Sequence, residues 1–314
     1  PDIAGYEGLG VAVQAYQKRA PAVIDWLRDL SARTCKRIPV RLVKGAYWDQ
    51  EIRRAQQAGL CDYPVFTRKS HTDLCYLACA RRMLRHPEHF WPQFATHNAY
   101  TLAWLDIVAR QHDRPFEVQR LCGMGGSIHT AFQSRTGRPL RVYAPIGDFH
   151  TLLPYLVRRL LENGSSQSFV NQLADASIKS ETLIQDPVSR LQQSQITPHP
   201  GIPRPGDLFL PRLNSPGFSL ADVGKLQSLR EEMAAYRRVA WMSGLPPTHP
   251  QQEMLAQSRH SPADRHHLLG TVHALTEREA ADACRRAADS FEAWSHTPVD
   301  RRATLCEAVA DSLL

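Results

Sequence analysis

The sequence predicts an α/β fold built from repeated strand–helix units, and three observations carry that expectation. Short β-branched or apolar segments alternate four times with longer amphipathic ones. From the second segment on they recur at roughly 20 to 25 residues, the length of a βα unit. Each strand segment also turns from apolar to polar at its C-terminal end, where (βα) barrels and doubly wound sheets place their chemistry. Four strands are too few to close a barrel of eight, so the remaining strands are expected ahead of Pro1. The chain is accordingly expected to be a piece of something longer.

In chain order, residues 8–33 are expected to be helical, with Leu9, Val11, Val13, Tyr16, Ile24, Leu27 and Leu30 on the apolar side and a break at Pro21. The first strand covers Val40 to Ala46. A short helix over 49–58 stops at Gly59, Tyr63 to Lys69 is extended, and a helix covers Thr72 to Leu84. Phe94 to Asn98 is the second strand, followed by a helix to Arg110. Pro115 to Leu121 is the third, leading through a glycine-rich loop at 122–126 into a helix ending at Arg135. Leu140 to Gly147 is the fourth. The helix from His150 to Asn163 follows and ends at Gly164. Six prolines between 198 and 216 mark a linker or wrapping segment. Residues 222–240 and two segments joined at Thr297–Pro298 read as helices, the first of these two packing through Ala280, Ala283, Ala287, Phe291 and Trp294.

A hydrophobic fraction of 43% over 314 residues supports a sizeable core. The net charge of +7 is spread along the chain, without a basic tail or a basic run interleaved with aromatics, so no nucleic-acid partner is expected. An anionic ligand or an anionic membrane surface suits that charge. The cysteines at 35, 61, 75, 79, 122, 284 and 306 are odd in number and contain no CxxC, as expected of free thiols in a reducing cytosol. No stretch is long and apolar enough for a transmembrane helix, and no signal peptide opens the chain.

Candidate chemistry concentrates at the strand ends. Arg41 and Lys44 are cations inside an apolar run. They belong either to an edge strand with solvated side chains or to a strand end that faces a ligand. On the helix 150–163, Leu153, Leu156, Val157, Leu160 and Leu161 form the expected buried stripe, and Arg158 and Arg159 lie within one turn of Glu162. Two guanidiniums about 7 Å apart repel by about 2 kcal/mol at an effective dielectric near 20. A carboxylate ligand relieves that through charge-assisted bonds worth about 1.5–3 kcal/mol each. Thr96, His97 and Asn98 supply polar groups at the second strand end, or else a turn with a capping asparagine. His71, Cys75 and Cys79 share one helix face, but a fourth ligand is missing, so no metal site is expected.

These stretches, RLVKGAYWD at 41–49, YPVFTRK at 63–69, FATHN at 94–98, QRLCGMG at 119–125, RVYAPIG at 141–147 and YLVRRLLENG at 155–164, with SFVN at 168–171, resemble the proline dehydrogenase domain of the bacterial proline utilization A flavoenzymes. The resemblance implies the C-terminal half of a (βα)8 TIM-type barrel over 1–194, a linker or wrapping segment over 195–269, and the N-terminal helices of an aldehyde dehydrogenase-like domain over 270–314. It implies FAD-dependent oxidation of L-proline to pyrroline-5-carboxylate, with electrons passing to a membrane quinone. It also implies a second NAD-dependent module that makes glutamate, whose NAD site and nucleophilic cysteine fall outside this chain.

Carried over by motif, Arg158 and Arg159 hold the proline carboxylate with Glu162 orienting them, and Tyr143 and Leu121 pack against the substrate ring. Arg41 sits beside the flavin N5. Val43, Lys44, Gly45 and Ala46 line the isoalloxazine and phosphate tail. Thr67, Lys69, Thr96, His97 and Asn98 take the ribityl, pyrophosphate or adenosine parts, and Gln119 meets the flavin ring. A homo-oligomer in the cytoplasm, with peripheral contact at the inner membrane, is the implied setting. The competing expectations are another flavin- or phosphate-dependent barrel enzyme for an anionic substrate, and an inactive fragment.

Overall fold

Alternation within the strands decides the layering. Val40 and Leu42 of one strand, Phe90 and Phe94 of the next and Val118 of the third are buried against helices. The residues between them point to the other face of the sheet. The computed structural model describes residues 8–111, 113–164, 169–175, 177–193, 198–220, 222–237, 239–243 and 256–313. The chain divides into two compact units, Pro1–Asn214 and Ser215–Leu314.

The first unit holds a five-stranded parallel sheet: β1 (Val11–Gln14), β2 (Ile38–Val43), β3 (Phe90–Ala95), β4 (Glu117–Leu121) and β5 (Leu140–Tyr143), in that spatial order. The order never reverses, whereas a doubly wound sheet has a switch point. The crossovers carry α1 (Ala20–Thr34), α2 (Trp48–Gln57), α3 (Lys69–Arg85), α4 (Ala99–Arg110) and α5 (Gly126–Thr136), and α6 (Phe149–Gly164) follows β5. Ile24 and Leu27 of α1, Tyr76 and Met83 of α3, and Leu102 and Leu105 of α4 complete the core. The register aligns Arg41, Gln93 and Glu117 in one row across the opposite face, and Gln119 with Arg141 in the next. That face is unusually polar for a sheet interior and forms the floor beneath the strand ends.

Three expectations are corrected. Residues 8–33 are not one helix: Val11–Gln14 pair in parallel with Val40–Val43, and α1 begins at Ala20 with Pro21 in its first turn. Four residues are too few to display alternation, and proline suits a helix start rather than an interior. β2 is not an edge strand, because β1 and β3 flank it. The apolar stripe of α6 is not buried: Leu153, Leu156, Val157 and Leu160 are 42–69% exposed, and the Leu161 side chain lies outside the described residues. α6 follows the terminal strand of the sheet, so its apolar side finds no second neighbour among the described residues.

The proline-rich stretch wraps the first unit. The Tyr63 hydroxyl donates to the Pro203 carbonyl at 2.7 Å, and the Asn214 amide donates to the Gln56 carbonyl at 3.3 Å. The second unit contains a helix over Val223–Tyr236 and a small sheet in which Leu268–His273 lies between Trp241–Ser243 and Ala256–His260. Two helices, Glu277–Ser295 and Val299–Leu313, complete it. Thr276 and Glu279 form a capping box at the first of these. Its expected packing side is uncovered among the described residues: Phe291 and Trp294 are exposed.

Candidate active site at the strand ends

The C-terminal ends of β2, β3, β4 and β5 and the helix α6 surround a cavity of about 970 Å3. Of the residues singled out in the sequence, Arg41, Val43, Lys44, Gly45, Ala46, Lys69, Thr96, His97, Asn98, Tyr143 and Arg159 line it. Thr67, Leu121, Gln119 and Arg158 do not. The Thr67 hydroxyl accepts the His199 backbone N–H at 3.0 Å from the wrapping segment. Leu121 is buried at the end of β4. Gln119 donates its amide to the buried Glu117 carboxylate at 2.7 Å, and Arg141 grips the same carboxylate with two bonds of 2.8 Å. The Arg158 guanidinium lies 5.0 Å from the Tyr47 ring centre, adjacent to the cavity wall. The Glu162 side chain lies outside the described residues.

Gly45 lets the β2 end turn toward the cavity. Its φ is +140°, and a Cβ there would lie 2.5 Å from the Tyr16 ring. Just before it, Lys44 is ion-paired with Asp73, whose second oxygen lies 3.3 Å from the Lys69 ammonium. Burial lowers the Lys44 pKa, with Asp73 opposing that shift. Burial alone would raise the Asp73 carboxyl, but the charges of Lys44 and Lys69 hold it below the usual range. Two cavity-lining cations therefore share one buried counterion.

Arg41 stacks on Tyr143 from β5, its guanidinium carbon 4.0 Å from the ring centre. Arg159 lies 5.3 Å from the Tyr155 ring. The Nε atoms of Arg41 and Arg158 are buried with no hydrogen-bond partner among the described residues. Thr96 is buried at the β3 end, and Asn98 caps α4 by accepting the Thr101 N–H at 3.0 Å. The capping reading of Asn98 and its place in the cavity wall thus hold together.

Several residues of the site escaped the sequence reading. Asp73 sits four residues after Lys69, and starting the helix at Thr72 hid that i,i+4 pair. Gln14, at the end of the missed β1, accepts the Ala46 N–H with its side-chain oxygen at 3.4 Å. Met124 and Tyr155, which stand inside the quoted motifs without a role of their own there, line the cavity, and His129, which the sequence did not single out, contacts His97. Cys75 and Cys79 are buried in α3, and His71 meets Phe66 edge to face. Among the described residues no group of three metal-ligating side chains assembles.

The arrangement defines a parallel (βα) protein with its binding cleft at the strand ends. That cleft is lined by cations, the Arg41 Nε that has no hydrogen-bond partner among the described residues, and aromatic rings, a set that suits a ligand carrying anionic groups. The chain belongs to the proline dehydrogenase family, whose model matches residues 1–172. It is 42% identical to the bifunctional protein PutA of Salmonella typhimurium, over 99% of this chain and 24% of that protein. The bifunctional protein PutA of Rhizobium meliloti is 40% identical over the whole chain and 26% of its own length. Among solved structures, a bifunctional proline utilization A protein superposes with a TM-score of 0.73 at 40% identity, over 95% of this chain and 28% of that one. The proline utilization A of Bdellovibrio bacteriovorus, crystallised after inactivation by N-propargylglycine, gives 0.73 at 30% identity over 99% and 32%. The chain therefore spans about a quarter of the length of the curated PutA relatives it matches. No helix among the described residues is long and apolar enough to cross a membrane.

Proposed function

We propose that residues 1–194 supply the C-terminal half of a (βα)8 barrel that oxidises L-proline to pyrroline-5-carboxylate with FAD. Residues 195–269 then connect it to an aldehyde dehydrogenase-like module beginning at 270. The unreversed strand order supports the barrel, since consecutive βα units side by side form a barrel's arc. The observation that carries the functional reading is the convergence of Arg41, Lys44, Lys69 and Arg159, from β2, its C-terminal end, α3 and α6, on one cavity.

FAD bound there would supply the hydride acceptor. Lys44, Lys69, His97 and the polar β3 end face its anionic parts, and Arg41 brings a positive charge to the ring beside Tyr143. Arg158 and Arg159 hold the substrate carboxylate at the α6 side, Glu162 orients them, and Tyr143 and Leu121 confine the imino-acid ring. Thr67 and Gln119 support the wall through the bonds they already make. In this reading the second module uses NAD, electrons leave to a membrane quinone, and the cytoplasmic homo-oligomer touches the inner membrane peripherally.

The test is spectroscopic. The protein carrying these residues, loaded with FAD, should show a flavin absorbance that L-proline bleaches and other amino acids leave intact. Equal bleaching by unrelated amino acids, or none by proline, would reject the assignment.

A further inference from the structure

A second cavity of the first unit, about 700 Å3, lies between α4 and α5 and plays no part in the reaction proposed above. Ala99, Ala103 and Ile107 line it from α4 at near-helical spacing, and Ile128 and Phe132 line it from α5. From Ala99 to Arg110 the groove follows about 17 Å of helix. Ile107 is 60% exposed, so the groove is open to solvent along α4. Phe169 lines both this groove and the catalytic cavity and marks the boundary between them.

The two ends of the groove differ in charge. Toward Phe169 the lining is apolar, and the one hydroxyl there, on Tyr100, already donates to Asp186 at 3.1 Å. At the other end stand Arg110, the last residue of α4, and Arg135, in the last turn of α5. Asp106 lies beside them but is shared: it accepts Arg110 Nε at 2.7 Å and Arg138 Nε at 3.2 Å. Arg135 is exposed and has no counter-ion among the described residues. With Arg114 and Asp113 counted, four arginines face two carboxylates at this end. The helix dipole accounts for a cation at each helix terminus, but not for an apolar groove that leads to both.

We propose that the α4–α5 groove binds a free long-chain fatty acid, its alkyl chain lying along Ala103, Ile107, Ile128 and Phe132 and its carboxylate meeting Arg135 and Arg110. The complementarity has two parts. The chain covers an apolar strip that the two helices leave in water. The carboxylate gives Arg135 the charge-assisted partner it lacks. A polyanion such as a nucleic acid would answer the arginines and leave the strip bare, and a cationic amphiphile would cover the strip against the charge. The site is separate from the catalytic cavity and stands whether or not the FAD and proline reading does.

The test is calorimetric titration of the FAD-loaded protein that carries these residues with laurate, and with dodecyltrimethylammonium as the cation of equal chain length. Laurate should bind once per chain and the cation at least tenfold more weakly. Arg135→Gln should raise the laurate dissociation constant about tenfold, the weight of one charge-assisted bond. Ala103→Trp, which fills the groove from an exposed position, should raise it about tenfold or more, as expected when two methylenes return to water. Both substitutions are at exposed positions, and unchanged thermal midpoints confirm that the variants fold. Absent laurate binding, equal affinity for the two amphiphiles, or a laurate affinity that neither substitution alters overturns the proposal. Phosphatidylglycerol vesicles offer the same chemistry from a bilayer: a protein that sediments with them through Ala103 and Arg135 yet ignores free laurate would make the occupant a membrane lipid and overturn the free acid. Laurate binding in a protein that proline does not bleach would count against the proposed function alone.

Discussion

Two cationic pairs lie at or beside the same cavity and are held in opposite ways. Lys44 and Lys69 share the Asp73 carboxylate, which is itself largely buried. Arg158 and Arg159 lie against the rings of Tyr47 and Tyr155. A carboxylate satisfies the charge of an ammonium and fixes its position. A ring engages only the face of a guanidinium, whereas a bidentate carboxylate engages its edge. Lys44, Lys69 and Asp73 together leave one net positive charge on the lysine side of the cavity, which suits a phosphate. The arginine side suits an incoming carboxylate. Under the proposed function, this difference assigns the phosphates to the lysine end and the substrate carboxylate to the arginine end.

The largest effect should come at the arginine side. Arg159→Met should raise the apparent KM for L-proline by about 30- to 150-fold, since a charge-assisted bidentate contact is worth about 2–3 kcal/mol. Steady-state dye reduction reads this, and thermal stability should barely change. An intermediate effect is expected at the other end. Asp73→Asn strands Lys44 in a half-buried site and should cost about 2 kcal/mol of stability in urea, below the about 3–5 kcal/mol of a fully buried pair. If the two substitutions cost the same stability, the contrast between lysines held by a carboxylate and arginines set against rings collapses.

The smallest expected effect is in the pH dependence. His129 has a folded pKa of about 4 against an ordinary 6.5. Between those values the unfolded chain binds the extra proton, so stability rises with pH across that window and falls on acidification. Asp73 acts in the same direction at lower pH: its depressed carboxyl contributes stability that is lost as pH falls below the ordinary carboxylate range. Urea midpoints measured from pH 4 to 7 should flatten in His129→Gln, and an unaltered slope would remove His129 from this account.

What could be read from the sequence follows physical scale. The strand-end motifs were legible because an apolar run ending in cations or a Thr-His-Asn cluster is a local pattern. Of the sixteen residues carried over through the family resemblance, eleven line the cavity. β1 was not legible because four residues cannot show a period of two, and Gln14 was lost with it. Asp73 was lost to a helix start misplaced by three residues. His129 was invisible for a different reason: its contact with His97 spans 32 residues and exists only once α5 packs beside the β3 end. The α6 stripe misled in the opposite sense, since periodicity reports which side of a helix is apolar and not whether anything covers it.

The most direct measurement compares L-proline with L-prolinamide as reductants of the FAD-loaded protein, in the wild type and in Arg159→Met. The wild type should prefer proline strongly, and the substitution should erase most of that preference by weakening proline alone. A preference for proline that survives Arg159→Met unchanged would contradict the grip of the α6 arginines on the substrate carboxylate.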